Sequence, residues 1–270
     1  MMRHSILDTI GRTPLVELNK INPFPHVKMY AKLEGFNPTG SIKDRIALAM
    51  IGRVKGYGVE IVMSEAVSVE RRKMIQAFGA TVTLTPPNEG TDGAIRKVRQ
   101  LLQERPGFYF CTDQFSNRYN KLAHYLTTAA EIWDQTSGTV THLVSALGTS
   151  GTIMGIGMGL KERNPAIKII EAQPIRGHYI QGLKNMEEAI VPALYQPEKI
   201  DRHIMIESEE AFETARRIVA DEGIFVGMSS GAAMLAALRA AEEIESGVMV
   251  VIFPDRGEKY LSTKLFDNQK

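Results

Sequence analysis

Apolar positions along this chain follow two rhythms. Short runs rich in Val, Ile, Leu, Phe and Tyr stand at 27–33, 59–63, 81–85, 108–112, 142–147, 169–173, 203–206 and 248–253. Their length and β-branched or aromatic content predict strands. Between them lie longer stretches with helical spacing. The clearest spans 91–104, where Ala94, Ile95, Val98, Leu101 and Leu102 form one stripe. A Gly-rich apolar helix is predicted over 153–160 and an alanine-rich one over 232–244. Ser208 is a plausible cap for a helix that stops before Gly223. Regular strand–helix alternation predicts an α/β fold: mainly parallel, twisted sheets with helices on both faces. Within it, 108–112 is expected to be a buried strand and Cys111 a core residue.

Candidate chemistry follows the first long run. Asn37-Pro38-Thr39-Gly40-Ser41-Ile42-Lys43-Asp44-Arg45 puts a lysine just inside a helix start, the positive end of the peptide dipole. A lone lysine is as a rule solvated. The functional reading is an amine poised to form a Schiff base, helped by burial and nearby positive charge. A pyridoxal cofactor also needs a phosphate cradle, and one follows the run at 142–147. Gly148-Thr149-Ser150-Gly151-Thr152 leads directly into the Gly-rich helix. Strand, Gly-rich turn and helix aim N–H groups and a helix dipole at an anion. Thr149, Ser150 and Thr152 add hydroxyl donors. A third element, 223–231, opens the alanine-rich helix with Ser229 and Ser230. Either serine suits an N-cap; the functional reading is a hydroxyl partner for a pyridine nitrogen, leaving that nitrogen unprotonated.

A nicotinamide site is the rival. Glu171 lies 20 positions after Gly151, about where a dinucleotide fold keeps its ribose-binding acid. The turn lacks G-x-G-x-x-G spacing, however, and Gly155, Gly157 and Gly159 fall inside the helix.

Further motifs stand at 11–16 (Gly-Arg-Thr-Pro-Leu-Val), 68–72 (Ser-Val-Glu-Arg-Arg), 113–117 (Asp-Gln-Phe-Ser-Asn), 131–133 (Glu-Ile-Trp), 178–182 (His-Tyr-Ile-Gln-Gly) and 254–263 (Pro-Asp-Arg-Gly-Glu-Lys-Tyr-Leu-Ser-Thr). With these in hand the chain resembles, over nearly its full length, the cysteine synthase family (O-acetylserine sulfhydrylases) of fold-type II pyridoxal-phosphate enzymes. The resemblance implies that Lys43 holds pyridoxal phosphate and acts as catalytic base. It implies that Gly148, Thr149, Ser150, Gly151 and Thr152 grip the phosphate, and that Ser229 faces the pyridine nitrogen. Gln114 would help hold the substrate carboxylate and Gly182 would lie near the site mouth. The implied reaction replaces the β-substituent of an activated serine, such as O-acetylserine, with sulfide to give L-cysteine. The implied organisation is a smaller mobile lobe at 35–114, a larger cofactor-binding lobe at 1–34 and 115–270, and a homodimer.

One departure from the family pattern stands out. Members carry a Thr-Ser-Gly-Asn-Thr-type loop between the lysine helix and the next strand, which binds the substrate carboxylate and the cofactor's ring oxygen. Here Arg45 runs through Ile46-Ala47-Leu48-Ala49-Met50-Ile51 toward the strand at 59–63. The 46–51 stretch fits either the lysine helix or the helix that normally follows the loop. Roughly 30 residues, about one strand-plus-helix unit, are absent. A helix of about 12 residues would still permit a right-handed crossover. The expectation is a surviving fold, one βα unit shorter, with impaired turnover. A cofactor-binding relic or isoform, or a related cystathionine β-synthase or dehydratase-type lyase, are the alternatives.

Composition narrows the rest. The 270 residues suffice for two lobes. A net charge of +1 gives no cause to expect nucleic acid or an anionic membrane as partner. A single cysteine rules out an internal disulfide framework and, with no leader pattern, suits the cytoplasm. The six histidines show no pair at ligand spacing, so no metal is expected. His124 reads as structural, Arg71, Arg72 and Lys73 as a solvated helix face, and Met154 and Met158 as core fillers.

Overall fold

The computed structural model of the chain describes residues 3–51 and 57–267. In chain order the strands are β1 (Leu15–Glu17), β2 (Val27–Leu33), β3 (Glu60–Ser64), β4 (Thr81–Thr85), β5 (His142–Ala146), β6 (Lys168–Pro174), β7 (Arg202–Ile206) and β8 (Gly247–Phe253). The α-helices are α1 (Lys43–Ile51), α2 (Val69–Ala77), α3 (Gly90–Glu104), α4 (Arg118–Ala123), α5 (Ala129–Gln135), α6 (Gly151–Arg163), α7 (Ser208–Arg217) and α8 (Met228–Ala241). One π-helical turn, His124–Thr128, joins α4 to α5, and another, Ile218–Glu222, extends α7 to Gly223. No described helix is long and apolar enough to cross a membrane.

The chain divides into two units. The larger comprises Met1–Gly52 and Gln114–Gly257. Its six-stranded sheet runs β1-β2-β8-β5-β6-β7, with β1 antiparallel to β2 and the other pairings parallel. Central β8 is nearly all apolar because helices cover both faces of a parallel sheet; Met249 through Phe253 are buried. Below β5, Ile132, Leu143, Leu147, Ile153, Ile156 and Leu160 form the core. On α8, buried alanines allow close packing on α7. A Cβ built on Gly231 would lie 2.0 Å from the Ala211 carbonyl oxygen, so only glycine fits there.

Helix α1 belongs to this larger unit, whereas the sequence boundary at Gly35 put it in the smaller lobe. The reason is local bonding. The Ile42 N–H donates to the Pro254 carbonyl (2.8 Å), Ser41 bridges to Asp255, and the Arg45 guanidinium is buried among unit partners described below. The 46–51 stretch continues the lysine helix. Its expected extension to about 12 residues falls on 52–56, outside the described residues.

The smaller unit comprises Arg53–Asp113 and Glu258–Lys270. β3 and β4 pair in parallel from Glu60↔Thr81 to Ser64↔Thr85, connected through α2, and α3 packs on both. The expected strand at 108–112 does not form. That stretch is irregular, Phe108 and Phe110 are 62% and 84% exposed, and Cys111 is exposed rather than buried. Alternation suits these residues to a strand, but a strand exists only with a neighbour to share its hydrogen bonds. The face of α2 also differs from expectation. The Arg71 guanidinium donates to the Tyr260 hydroxyl (3.0 Å), and Arg72 donates to the Val67 and Glu65 carbonyls (3.1 and 3.0 Å). Lys73 remains exposed.

Candidate active site

Three segments converge at one edge of the larger unit. β2, β8 and β5 are parallel neighbours, so the segments leaving their carboxyl ends lie side by side. They carry Lys43, the 254–257 turn and the 148–152 turn. The Gly227 N–H donates to the Asp255 carbonyl (3.4 Å), which brings the start of α8, with Ser229 and Ser230, to the same edge. Ligands of open α/β sheets bind at this end of the strands.

Lys43 opens α1, its N–H donating to Ser41 Oγ at 3.3 Å. Its side chain is exposed, unlike the buried amine the sequence argument favoured. The turn before it is stiffened by Asp44, whose carboxylate accepts from the Thr39 N–H (2.8 Å) and from the Thr39 hydroxyl.

The 148–152 turn has the shape of an anion cradle. Ser150 is left-handed at φ 65° and Gly151 begins the 13-residue helix α6, whose first N–H groups have no intrahelical acceptor. A Cβ on Gly148 would lie 2.5 Å from the Gly182 carbonyl oxygen, and one on Gly151 2.0 Å from Asn120 Oδ1. Both glycines are therefore dictated by space. The hydroxyls are used unequally. Ser150 donates to the Thr149 carbonyl (2.6 Å), and Thr152 Oγ1 shares a hydrogen bond with His124 Nε2 (3.2 Å). Thr149 Oγ1 accepts from Asn120 Nδ2 (3.0 Å), so its own proton remains for another acceptor. Asn120 Nδ2 also donates to the Gln114 carbonyl (2.7 Å), tying Gln114 to the turn. Ser229 and Ser230 are both buried, and Ser230 Oγ has no partner among the described residues. A Gly-dictated turn, a helix start, a donor hydroxyl and a nearby lysine suit a phosphorylated aldehyde such as pyridoxal phosphate.

A buried charge network holds the lysine helix in place. Arg45 Nε donates to Glu34 Oε2 (2.7 Å) and Nη2 to Glu34 Oε1 (2.9 Å). Nη1 and Nη2 each reach a Glu131 oxygen at 2.7 Å. Lys32 Nζ donates to Glu131 Oε2 (2.8 Å) and the Thr13 carbonyl (2.7 Å). Two cations thus face two carboxylates. Burial alone would raise the Glu131 pKa, but hydrogen bonds and charge from Arg45 and Lys32 prevail and hold it at about 2. Glu34 is likewise depressed against its burial by Arg45 and Thr13. Burial prevails at Lys32, whose pKa falls. Burial also pushes His124 down to about 4, so it is neutral where it meets Thr152 and, at 2.9 Å, Thr128.

Sequence reasoning missed Asn120, and read His124 as structural without its link to the turn. Glu171, the candidate ribose ligand, is fully buried, and its Oε1 is taken by Tyr195 (2.9 Å), His203 (2.8 Å) and Gln173. It is committed to the sheet interior.

Comparison with known proteins points the same way. The chain is 44% identical to the cysteine synthase of Aquifex aeolicus, the match covering 99% of this chain and 93% of that protein. It is 39% identical to cysteine synthase B of Pseudomonas aeruginosa, covering 97% of each. Its structure superposes on the crystal structure of the Entamoeba histolytica cysteine synthase with a TM-score of 0.90 at 39% identity, covering 100% of this chain and 92% of that one. It also superposes on an O-ureido-L-serine synthase at 0.90 and 35% identity, covering 100% and 97%. The Aquifex alignment runs over 305 positions, 35 more than this chain's 270 residues. The family profile matches in two pieces, 6–52 and 46–255, which both claim 46–52. The profile thus reads 46–52 twice, once at the end of its first matched piece and once at the start of its second. Matched from residue 6 to 255 on the fold and site described above, the chain is a member of the family of pyridoxal-phosphate-dependent enzymes.

Proposed function

We infer that this chain is a pyridoxal-phosphate-dependent cysteine synthase: it replaces the β-substituent of O-acetylserine or a similar activated serine with sulfide, giving L-cysteine, at a rate lowered by its omitted loop. The observation that carries this is the placement of Lys43, the 148–152 turn and the start of α8 at one sheet edge, in a chain alike throughout to cysteine synthases.

The cofactor, when bound, supplies the electron sink for the substrate's α-carbon. The chain's residues bind, orient and move protons. Lys43 Nζ would hold the cofactor at its aldehyde end and, as a free amine beside the bound substrate, would accept the proton from the substrate's Cα. Backbone N–H groups of Gly148, Thr149, Ser150, Gly151 and Thr152, with the Thr149 hydroxyl, would bind the phosphate. Ser229, buried at the start of α8, would be the hydroxyl partner of the pyridine nitrogen. Gln114 binds the substrate carboxylate, and Gly182 borders the entrance. Without the loop that shares this duty in relatives, Gln114 orients the carboxylate alone, and lost positioning costs on the order of 10²-fold in rate.

The omitted loop also favours a second reading, a cofactor-binding protein that no longer turns over. Absorbance of the purified protein with pyridoxal phosphate, before and after O-acetylserine, separates the two. A visible band that shifts with substrate, and steady release of cysteine on adding sulfide, support the enzyme. A band that does not move supports the relic. A turnover equal to that of a full-length relative sinks the impairment. Borohydride reduction and peptide mapping should place the label on Lys43. Product analysis with other nucleophiles separates a cystathionine β-synthase or dehydratase-type lyase. We further propose a homodimer working in the cytoplasm, the first checked by sedimentation; a lone thiol with no disulfide framework suits a reducing compartment.

A further inference from the structure

We propose that Asn120 is a positioning residue that makes the Thr149 hydroxyl a phosphate donor and locks the 148–152 turn to the backbone of Gln114. The proposal rests on reading that turn as the phosphate cradle.

Asn120 is completely buried within α4. A buried side-chain amide is costly unless it is bonded, and this one spends its donors on two places far apart in sequence. Nδ2 donates to the Gln114 carbonyl at 2.7 Å and to Thr149 Oγ1 at 3.0 Å. An amide nitrogen only donates, so Thr149 Oγ1 must accept from it. The hydroxyl proton of Thr149 then has to point elsewhere, and an anion over the turn is the acceptor that position offers. The remaining amide atom, Oδ1, has no partner among the described residues and lies against Gly151, where a Cβ would stand 2.0 Å away. Gly151 therefore makes room for Asn120 as well as for a ligand. One side chain thus sets the hydroxyl polarity of the cradle and the place of the residue assigned to the substrate carboxylate.

The test compares two ligands that differ only in the phosphate. Dissociation constants of pyridoxal phosphate and of pyridoxal are measured by absorbance titration for the wild type, Asn120→Ala and Asn120→Asp. Asn120→Ala should weaken pyridoxal phosphate roughly tenfold, the scale of one lost hydrogen bond, and leave pyridoxal within twofold. Asn120→Asp keeps the shape, removes the donors and adds a negative charge, so it should weaken pyridoxal phosphate further. A wild-type ratio of the two constants in either soluble variant overturns the proposal, because loosened packing alone would weaken both ligands together. Should Asn120→Ala fail to fold, Asn120→Asp decides by the same ratio. Borohydride labelling of wild-type Lys43 separates the two levels. A labelled lysine with an unchanged ratio removes only the role of Asn120; an unlabelled lysine removes the cradle reading and this proposal with it.

Discussion

Arg45 grips Glu34 side-on, with Nε 2.7 Å from Oε2 and Nη2 2.9 Å from Oε1, and neither side chain has appreciable contact with solvent. The pair fixes α1 two residues beyond Lys43, so the lysine proposed to hold the cofactor inherits its position from a buried ion pair. Removing one partner leaves the other charge stranded. Arg45→Met should destabilise the protein by about 3–5 kcal/mol in urea unfolding. Arg45→Lys should recover little, since an ammonium cannot reproduce the fork that serves Glu34 and Glu131 together.

Acid should act on the same network. The Glu131 pKa is held at about 2 when folded, below the usual carboxylate value of about 4.3. A depressed carboxylate stabilises the fold fully above its unfolded pKa and loses that contribution as pH falls through the folded value. Stability should therefore decline between about pH 4.3 and 2. Glu131→Gln should flatten that decline, measured as unfolding free energy against pH.

His124 produces a separate step at higher pH. Its folded pKa of about 4 lies below the ordinary histidine value because burial disfavours the cation. The unfolded chain therefore takes up a proton between about pH 6.5 and 4 that the folded chain refuses, and stability falls across that window as pH drops. His124→Gln should remove this slope and leave the Glu131 slope in place.

Two glycines should lose different properties when changed to alanine. Gly231→Ala drives a methyl to 2.0 Å from the Ala211 carbonyl in the α7–α8 contact, and should cost about 1–3 kcal/mol. Gly148→Ala meets the Gly182 carbonyl at 2.5 Å, in the candidate site. It should weaken pyridoxal phosphate more than tenfold, with a smaller change in melting temperature than Gly231→Ala.

Amide exchange should separate the two units. β2 and β8 pair over seven residues inside a six-stranded sheet, whereas β3 has only β4 beside it among the described strands. Protection factors in β3 and β4 should be lower than in β8, because small sheets open locally at little cost.

Local features of the fold were legible in the chain, and remote ones were not. The runs at 27–33 and 81–85 became β2 and β4 with the same limits, because β-branched and aromatic content acts residue by residue. The lysine turn, the 148–152 turn and the Ser229 helix start could be read because each is a turn followed by a helix. The stretch at 108–112 misled for the converse reason. Its composition suits a strand, but pairing depends on a neighbour that composition cannot reveal. Asn120 and Thr149 are 29 positions apart, and Arg45 and Glu131 86 apart. No periodicity joins such pairs; only the packed fold does. The direction of the Ser150 hydroxyl, turned onto its own backbone, was equally invisible.

The two-stranded sheet of the smaller unit has a consequence for how the protein behaves in the tube. Among the described strands β3 and β4 pair only with each other, which leaves each an edge for another polypeptide to zip onto, and exposed Phe108 and Phe110 in the same unit add stickiness. Turbidity should thus rise with concentration and on storage, even in preparations that never meet a substrate.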